Sequence, residues 1–336
     1  MMQNHKPIAS LALLLLALSA PRCALGAPTA SPTQSDLEQL LGHPMPTPIA
    51  KVAWATSEPA ATNYPVYAVQ PPHYDPRRLK ALADFVGVKG EPVRMPDSLD
   101  IAPGYWIKHP NPTNSFLWTS VFFSEKTGAS GYGIPDNGYR WDLKNHKPLV
   151  QGVPTHAEAL QRALALLPVL GLTTNDLEVN SDGSLRRQFT KEVTGYNDQA
   201  TKEHKEMLQK RSVILFQRVP GGETLSVGEG GAFEVAFISE GKLAEIGLLF
   251  RDLKPFASAK ALSSRQIIDA VRRGKAWTFR ATLPASLTVT NCAVAYPQGN
   301  SSYRQKYLWP VYRVTGFGGA DGLTNTFSIL VPLDAQ

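Results

Sequence analysis

The stretch from Arg211 to Phe250 carries the clearest fold signal of the chain. SVILFQRV (212–219) is rich in β-branched and aromatic residues, which favour strands. FEVAFI (233–238) then alternates apolar residues with polar or small ones, and a second apolar run follows at 243–250. The turn between the two runs, SEGK (239–242), contains a glycine that can adopt the positive φ of a tight reversal. The stretch therefore predicts a β-hairpin with a further strand before it.

Three segments outside this hairpin have the capping residues and apolar spacing of short amphipathic helices. A polar N-cap satisfies the free amides of the first turn, and a glycine in the left-handed conformation ends the last one. The N-terminal signals are Asp75-Pro76, Thr155-x-x-Glu158 and Ser263-x-x-Gln266, and the C-terminal glycines are Gly87, Gly171 and Gly274. The sequence therefore predicts three helices.

Strand-like runs follow each of these helices. They lie at 116–124 and 129–134, at 212–250, and at 287–296, 306–315 and 325–331. We therefore predict an α+β fold of three tandem units, each one helix packed on a curled antiparallel sheet, with unit boundaries at 64–150, 151–255 and 256–336. The polar segment 201–210 predicts a solvated helix or a loop insertion.

The first 26 residues have the pattern of a secretory signal peptide. Lys6 precedes an apolar run at 8–18, which is too short to span a bilayer, and Ala24-Leu25-Gly26 fits a small-x-small cleavage site. We expect cleavage after Gly26 and a secreted or periplasmic location. Residues 27–63 are rich in Pro, Ala, Thr and Ser and predict an arm that is mostly loosely packed, with one short helical candidate at 35–41.

Charge and cysteine content bound the classes of partner. Loss of Lys6 and Arg22 with the leader lowers the formal net charge from +6 to +4, and the basic residues are scattered, so no nucleic-acid partner is predicted. No later segment is long and apolar enough for a membrane helix, so we expect no integral membrane segment after signal cleavage. Cys292 would be the remaining cysteine, which predicts a buried thiol rather than a nucleophile.

Searches for catalytic motifs find none that support an enzyme. The serine-hydrolase elbow G-x-S-x-G and the zinc-protease pattern H-E-x-x-H do not occur. GEGG (228–231) resembles a phosphate-binding loop, but it lacks the lysine and the helix that such a loop needs. The sequence predicts no catalytic residue, no metal site and no cofactor.

The order of capped helices and turns resembles tandem PepSY-type repeats of exported bacterial proteins. The likeness rests on the helices, on the turns EKTG (125–128) and GKL (241–243), and on KYLWPVY (306–312), and it covers about 64–333. The resemblance implies an α+β fold and a non-catalytic role outside the membrane, such as restraining a protease or modulating a partner. It supplies no catalytic residues.

We therefore expect an exported, non-catalytic binding protein of the cell envelope that modulates or sequesters a protein or peptide partner. An exposed sheet edge or face can bind an extended peptide. The candidate surface is Phe233, Val235, Phe237, Tyr307, Trp309 and Tyr312.

The alternative is an envelope glycan-binding protein or hydrolase that uses the aromatic-rich first unit. Its site would be Tyr105, Trp106 and Trp141 with carboxylates such as Asp97, Asp100 and Asp136. That reading requires two of these carboxylates to meet a tryptophan in one cleft.

Overall fold

The computed structural model describes residues 32–111, 114–134, 141–142, 147–148, 152–198, 201–319 and 325–333, with backbone alone at 110–111, 114–118, 141–142 and 147–148. The helices are α1 (Gln34–Leu41), α2 (Pro76–Phe85), α3 (His156–Leu166) and α4 (Ser264–Arg272), with 3₁₀ turns at Pro168–Leu170, Thr174–Asp176 and Ser239–Gly241. The strands are β1 (His43–Pro44), β2 (Lys51–Trp54), β3 (Tyr64–Val69), β4 (Val93–Arg94), β5 (Gly104–Asn111), β6 (Asn114–Ser124), β7 (Ser130–Gly133), β8 (Trp141–Asp142), β9 (Lys147–Pro148), β10 (Arg187–Asn197), β11 (His204–Phe216), β12 (Glu223–Ser226), β13 (Ala232–Phe237), β14 (Leu243–Leu248), β15 (Leu253–Ala259), β16 (Trp277–Thr278), β17 (Ser286–Gln298), β18 (Tyr307–Leu308), β19 (Val311–Gly318) and β20 (Asn325–Pro332).

The largest sheet has eight antiparallel strands in the order β10-β11-β13-β14-β7-β6-β5-β4. It contains the same arrangement twice, because α2 precedes β4–β7 and α3 precedes β10, β11, β13 and β14. The two halves join where β7 pairs with β14. Gly131 permits the join, since a Cβ there would lie 2.5 Å from the carbonyl oxygen of Ile246.

Both α2 and α3 cover one face of this sheet. Leu79 and Leu82 of α2 and Ala163 of α3 share one core with residues of the sheet such as Val121 and Val213. The helices are short and amphipathic, so burial of this face contributes most of their stability.

A second sheet has seven strands and mixed direction. Its path is β1-β16-β20-β19-β17-β12, and β2 also pairs with β17. The pairings of β2 and β12 with β17 are parallel. The helix α4 lies against β2 and β20, and α1 lies against β17. Two smaller sheets, β15-β3-β18 and β8-β9, complete the described strands.

The predicted fold of three units, each with its own sheet, is wrong. The fold is mostly β, with α2 and α3 on a single eight-stranded sheet. The seven-stranded sheet also recruits β12 from the predicted second unit and β1 and β2 from the predicted arm. The physical reason lies in the strand edges: β7 and β14 each end a half, and mutual pairing satisfies the amides and carbonyls that either edge alone would expose.

The local predictions are mostly confirmed. Capping boxes form at Thr155 and Ser263, Asp75 caps α2, and the hairpin of β13 and β14 is antiparallel. The short helical candidate at 35–41 is confirmed as part of α1, where Leu41 is buried. One expectation fails, since residues 204–210 are strand. Ile49, in the part of the arm expected to be loosely packed, is also buried. A two-stranded ribbon needs no continuous apolar face, which is why the polar segment did not look like a strand.

Candidate functional site

The three predicted binding residues of β13 lie in the core. Phe233 and Val235 have no exposed area, and Phe237 is nearly as buried. All three belong to the core that α2 and α3 share with the sheet. Their apolar alternation is the pattern of a strand that is covered by helices. The structure therefore places them where a partner does not reach.

The other three predicted residues differ in exposure, and two of them are also buried. Tyr312 is 1 % exposed, and its hydroxyl oxygen accepts a 3.3 Å hydrogen bond from the amide of Leu262. Trp309 is 7 % exposed. Tyr307 is half-buried, and its ring centroid lies 5.0 Å from that of Phe256 and 5.7 Å from that of Trp309. Of the six predicted surface residues, Tyr307 is the one that offers accessible area.

The alternative aromatic site is not assembled among the described side chains. Tyr105 stacks on Tyr74 with ring centroids 4.0 Å apart and packs against the core beneath the helices. Trp106 follows it in β5 and therefore faces the opposite side of the sheet, where it contacts Lys108. The two rings do not form one platform.

The remaining parts of that alternative add no site. Asp97 and Asp100 are exposed, and neither lines any of the clefts described below. The side chain of Trp141, and Asp136 as a whole, lie outside the described residues.

The structure instead has a groove that the sequence did not indicate. After β3 ends at Val69, Pro71 and Pro72 hold the chain extended as it leads into α2. Three clefts adjoin one another here, and this linker lines the first two. The first and second share Pro71, Pro72 and Arg251, and the second and third share Arg304, Lys306 and Tyr307. We call the three clefts together the groove.

The first cleft is mainly apolar. It has a volume of about 490 Å³ and lies between the linker, α2 and the end of β14. Alkyl and phenyl groups form much of its wall, from Leu79, Leu82, Phe123, Val169, Leu170, Leu248 and Phe250. Arg78, Asp75 and Asp252 lie at the same cleft and carry charges of both signs. A site of this composition can accept an apolar side chain with a polar neighbour.

Arg251 lies between the first and second clefts and is 5 % exposed. Its Nη1 donates to Oε1 of Gln298 over 3.3 Å, and its Nη2 donates to the carbonyl oxygen of Gly299 over 2.7 Å. Its backbone amide donates to Oε1 of Gln217. Burial lowers the pKa of Arg251 to about 10, so the guanidinium is still charged at neutral pH. Every acceptor that it uses in the described part of the chain is neutral.

The second cleft has a volume of about 290 Å³, and its other charged groups are also cations. Lys126, Arg304 and Lys306 line it together with Arg251, and no carboxylate does so among the described residues. Lys126 donates to a neutral backbone oxygen, that of Asp100, over 3.2 Å. None of the four cations forms an ion pair with a described residue. The cleft therefore carries an excess of positive charge, which the attraction between Lys306 and Asp36 of α1 offsets only in part.

The third cleft, of about 340 Å³, is closed by α1. The hydroxyl of Tyr303 donates to Oδ1 of Asp36, which ties α1 to the loop between β17 and β18. Burial alone would raise the pKa of Asp36, but hydrogen bonds from Tyr303 and Thr33 outweigh it, so the pKa lies below its ordinary value. Lys306 favours the same ionised form. Asp36, the one carboxylate among the described residues that line the third cleft, is thus already engaged.

Sequence reasoning missed Arg251, Lys126 and Arg304. The one local signal is the position of Arg251 directly after the apolar run IGLLF (246–250), where the chain leaves β14. A cation at the end of a buried strand must find acceptors in the interior or remain without a counter-charge. Whether Arg251 has a carboxylate partner depends on residues that are distant in sequence, so the sequence around Arg251 does not show it.

Two general features complete the description. No cluster of three or more His, Cys, Asp or Glu side chains within the described ranges has an arrangement that fits a metal ion. In the same part of the chain, every helix is too short or too polar to cross a lipid bilayer.

Comparison with known proteins shows no family for this chain. No family model and no curated protein matches it. Among solved structures, it is similar to an uncharacterized protein from Eubacterium rectale, with a TM-score of 0.37, 9 % identity, and coverage of 85 % of this chain and 87 % of the other. It is also similar to the Bacillus megaterium YpeB C-terminal domain, with a TM-score of 0.35, 11 % identity, and coverage of 80 % and 98 %. Likeness at this level carries no argument about function.

Proposed function

We propose that this protein is an exported, non-catalytic binding protein of the cell envelope that holds an extended segment of a protein partner. The observation that supports this proposal is the continuity of the groove, whose adjoining clefts share Arg251 on one side and Lys306 and Tyr307 on the other. A bound segment would follow the proline linker from α2 to α1. Export rests on the leader-like pattern of the first 26 residues, and membership of the PepSY-type proteins stays a hypothesis.

The mixed lining of the groove favours a peptide over a small molecule. The first cleft offers alkyl and phenyl groups, the second offers charged donors, and the third offers the rings of Tyr303, Tyr307 and Trp309. A peptide carries apolar, charged and aromatic side chains in series and can satisfy all three. Peptide recognition in grooves commonly combines such side-chain pockets with an extended backbone.

A selection from a library of random peptides tests this proposal with a groove that is open or blocked. Pro71 is exposed and lines both the first and second clefts, so Pro71→Trp places an indole across the groove. Pro46 is also exposed and lines none of the three clefts, so Pro46→Trp is the matched control.

We expect the selected peptides to bind the unaltered protein and Pro46→Trp equally and to lose at least about tenfold in affinity for Pro71→Trp, equivalent to about 1.4 kcal/mol. A selection that enriches no peptide, or peptides that bind all three proteins alike, contradicts the proposal.

A further inference from the structure

The strongest unexplained feature of the groove is a buried cation without a counter-charge. Removing a guanidinium from water is costly, and proteins normally offset this cost with a carboxylate. Arg251 is 5 % exposed, yet its guanidinium donates to the side-chain amide of Gln298 and the carbonyl of Gly299. These neutral acceptors satisfy hydrogen bonds but leave the charge uncompensated. A ligand that brings a carboxylate would supply what the described chain does not.

The cations near Arg251 point to the same ligand charge. Lys126, Arg304 and Lys306 line the second cleft, and each lacks an ion pair with a described residue. Arg304 and Lys306 are exposed and can move to meet a ligand, whereas Arg251 is held in place by its hydrogen bonds. One fixed guanidinium with mobile cations beside it suits several carboxylates in sequence on a flexible chain.

The apolar first cleft narrows the choice of polyanion. It adjoins Arg251 directly and is lined by groups such as Leu79, Leu170 and Phe250. Nucleic acids and anionic polysaccharides carry no aliphatic side chain that would fill it. A peptide can place a leucine or a similar residue there and a carboxylate one or two residues further along.

We propose that the ligand of the groove is an acidic peptide segment in which one carboxylate binds Arg251 and an adjacent apolar side chain enters the first cleft. This inference rests on the proposed function, since it specifies the chemistry of the partner at the same site. A carboxylate at Arg251 gains a charge-assisted pair with a guanidinium that is already desolvated and held in place by Gln298 and Gly299. The exposed cations add attraction that salt screens.

Three short fluorescent peptides test the inference by anisotropy. The first has a leucine beside several aspartates, the second has asparagine in place of each aspartate, and the third has alanine in place of the leucine. The protein variants are Arg251→Met, the double variant Arg304→Gln with Lys306→Gln, and Lys191→Gln. Lys191 is an exposed cation on β10 and lines none of the three clefts, so it controls for net charge.

The acidic leucine peptide is expected to bind the unaltered protein and the Lys191→Gln control equally. Its affinity falls at least about tenfold on Arg251→Met, since truncating one partner of a buried charge pair leaves the other charge without its partner. The double variant loses about two- to tenfold, because exposed ion pairs are weak, and its exposed positions leave the fold intact if Arg251→Met proves unstable. Both the asparagine peptide and the alanine peptide bind more weakly than the parent.

Distinct outcomes overturn the inference and the proposed function separately. If selected peptides are blocked by Pro71→Trp but carry no acidic residues, the groove binds peptides and the acidic assignment fails. If Pro71→Trp does not weaken the binding of any peptide, acidic or basic, both the acidic assignment and the proposed function fail. If a sulfated polysaccharide binds as tightly as the acidic peptide, and the leucine-to-alanine change has no effect, the ligand is a polyanion without an apolar anchor and the peptide assignment is overturned.

Discussion

Arg186 and Arg251 both lie where the eight-stranded sheet meets the seven-stranded sheet, but only Arg186 is paired with carboxylates. Nη1 of Arg186 lies 2.8 Å from Oε1 of Glu178 and also donates to the carbonyl oxygen of Thr224 in β12. The amide of Thr224 donates back to Glu178, and Glu223 lies 3.9 Å from Arg186. The network is closed within the protein.

The Arg251 region is more deeply buried and has no such closure. Its guanidinium reaches Gln298 and Gly299 of the seven-stranded sheet and its following loop, but no described carboxylate. The Arg186 side chain is 22 % exposed, whereas Arg251 as a residue is 5 % exposed, so the cation with less access to water has the weaker set of partners. We therefore infer that Arg186, with its matched carboxylates, holds the two sheets together, whereas Arg251 is available to a ligand.

The largest expected effect comes from breaking the closed network. Arg186→Met leaves Glu178 buried without its cation. Burial already raises the pKa of Glu178 above its ordinary value, against the favourable contributions of Thr224 and Arg186. We expect the free energy of unfolding in urea to fall by about 3–5 kcal/mol. Adding Glu178→Gln to the same protein should recover part of this loss. If Arg186→Met lowers the free energy of unfolding by less than about 1 kcal/mol, the network does not stabilise the fold.

A smaller loss of stability is expected for Arg251→Met, although the residue is more buried. The substitution leaves no described carboxylate without its partner. It leaves two neutral acceptors without their donor, at about 1–3 kcal/mol for each one that stays buried, and an unpaired neutral group costs less than an unpaired charge. Urea unfolding of the two variants side by side measures the difference. If Arg251→Met destabilises the protein as much as Arg186→Met does, Arg251 is a structural residue and the contrast disappears.

The next effect concerns the third cleft, where α1 is tied to Tyr303. Tyr303→Phe removes the hydrogen bond to Asp36, and we expect about 1 kcal/mol less stability and faster hydrogen exchange of α1 amides at neutral pH. The folded pKa of Asp36 lies below its ordinary 3.8, so this stabilisation is complete above pH 3.8 and is lost as the pH falls through the folded value. The difference between the two proteins should therefore shrink in acid. If Tyr303→Phe lowers stability equally at neutral pH and below the folded pKa of Asp36, the ionised carboxylate does not contribute as proposed.

The smallest effect is expected at Cys292, which belongs to neither arginine region. Burial raises the pKa of its thiol to about 12, so almost no thiolate forms at pH 8. We expect a thiol reagent to label the folded protein at least about a hundredfold more slowly than the urea-unfolded chain. Cys292→Ser should leave peptide binding unchanged. Fast labelling of the folded protein would indicate an accessible, reactive thiol instead.

The parts of the fold that local residues determine were predictable. Thr155 with Glu158, and Ser263 with Gln266, form their capping boxes within one helical turn, and the hairpin between β13 and β14 needs only its own glycine-containing turn. The pairing of β7 with β14 joins residues more than a hundred positions apart. This pairing depends on which strand edges are still unpaired after each half of the sheet has formed. Hydrophobic periodicity does not show which edges those are.

The candidate site was harder to predict for a similar reason. Apolar alternation in β13 indicated a face, but the coverage of that face by α2 and α3 decides whether it binds a partner or forms the core. Arg251 looks like any arginine at the end of a strand in the sequence. Its proposed role rests on a burial without a carboxylate partner among the described residues, which is a property of the assembled sheets.

A crystal structure of the protein with the acidic leucine peptide would show whether Arg251 binds a carboxylate of the ligand. We expect a peptide carboxylate within hydrogen-bond distance, about 2.7–2.9 Å, of the Arg251 guanidinium, with the leucine side chain in the cleft lined by Leu79 and Phe250. A peptide bound elsewhere, or an Arg251 that pairs with a carboxylate of its own chain in the complex, would contradict it.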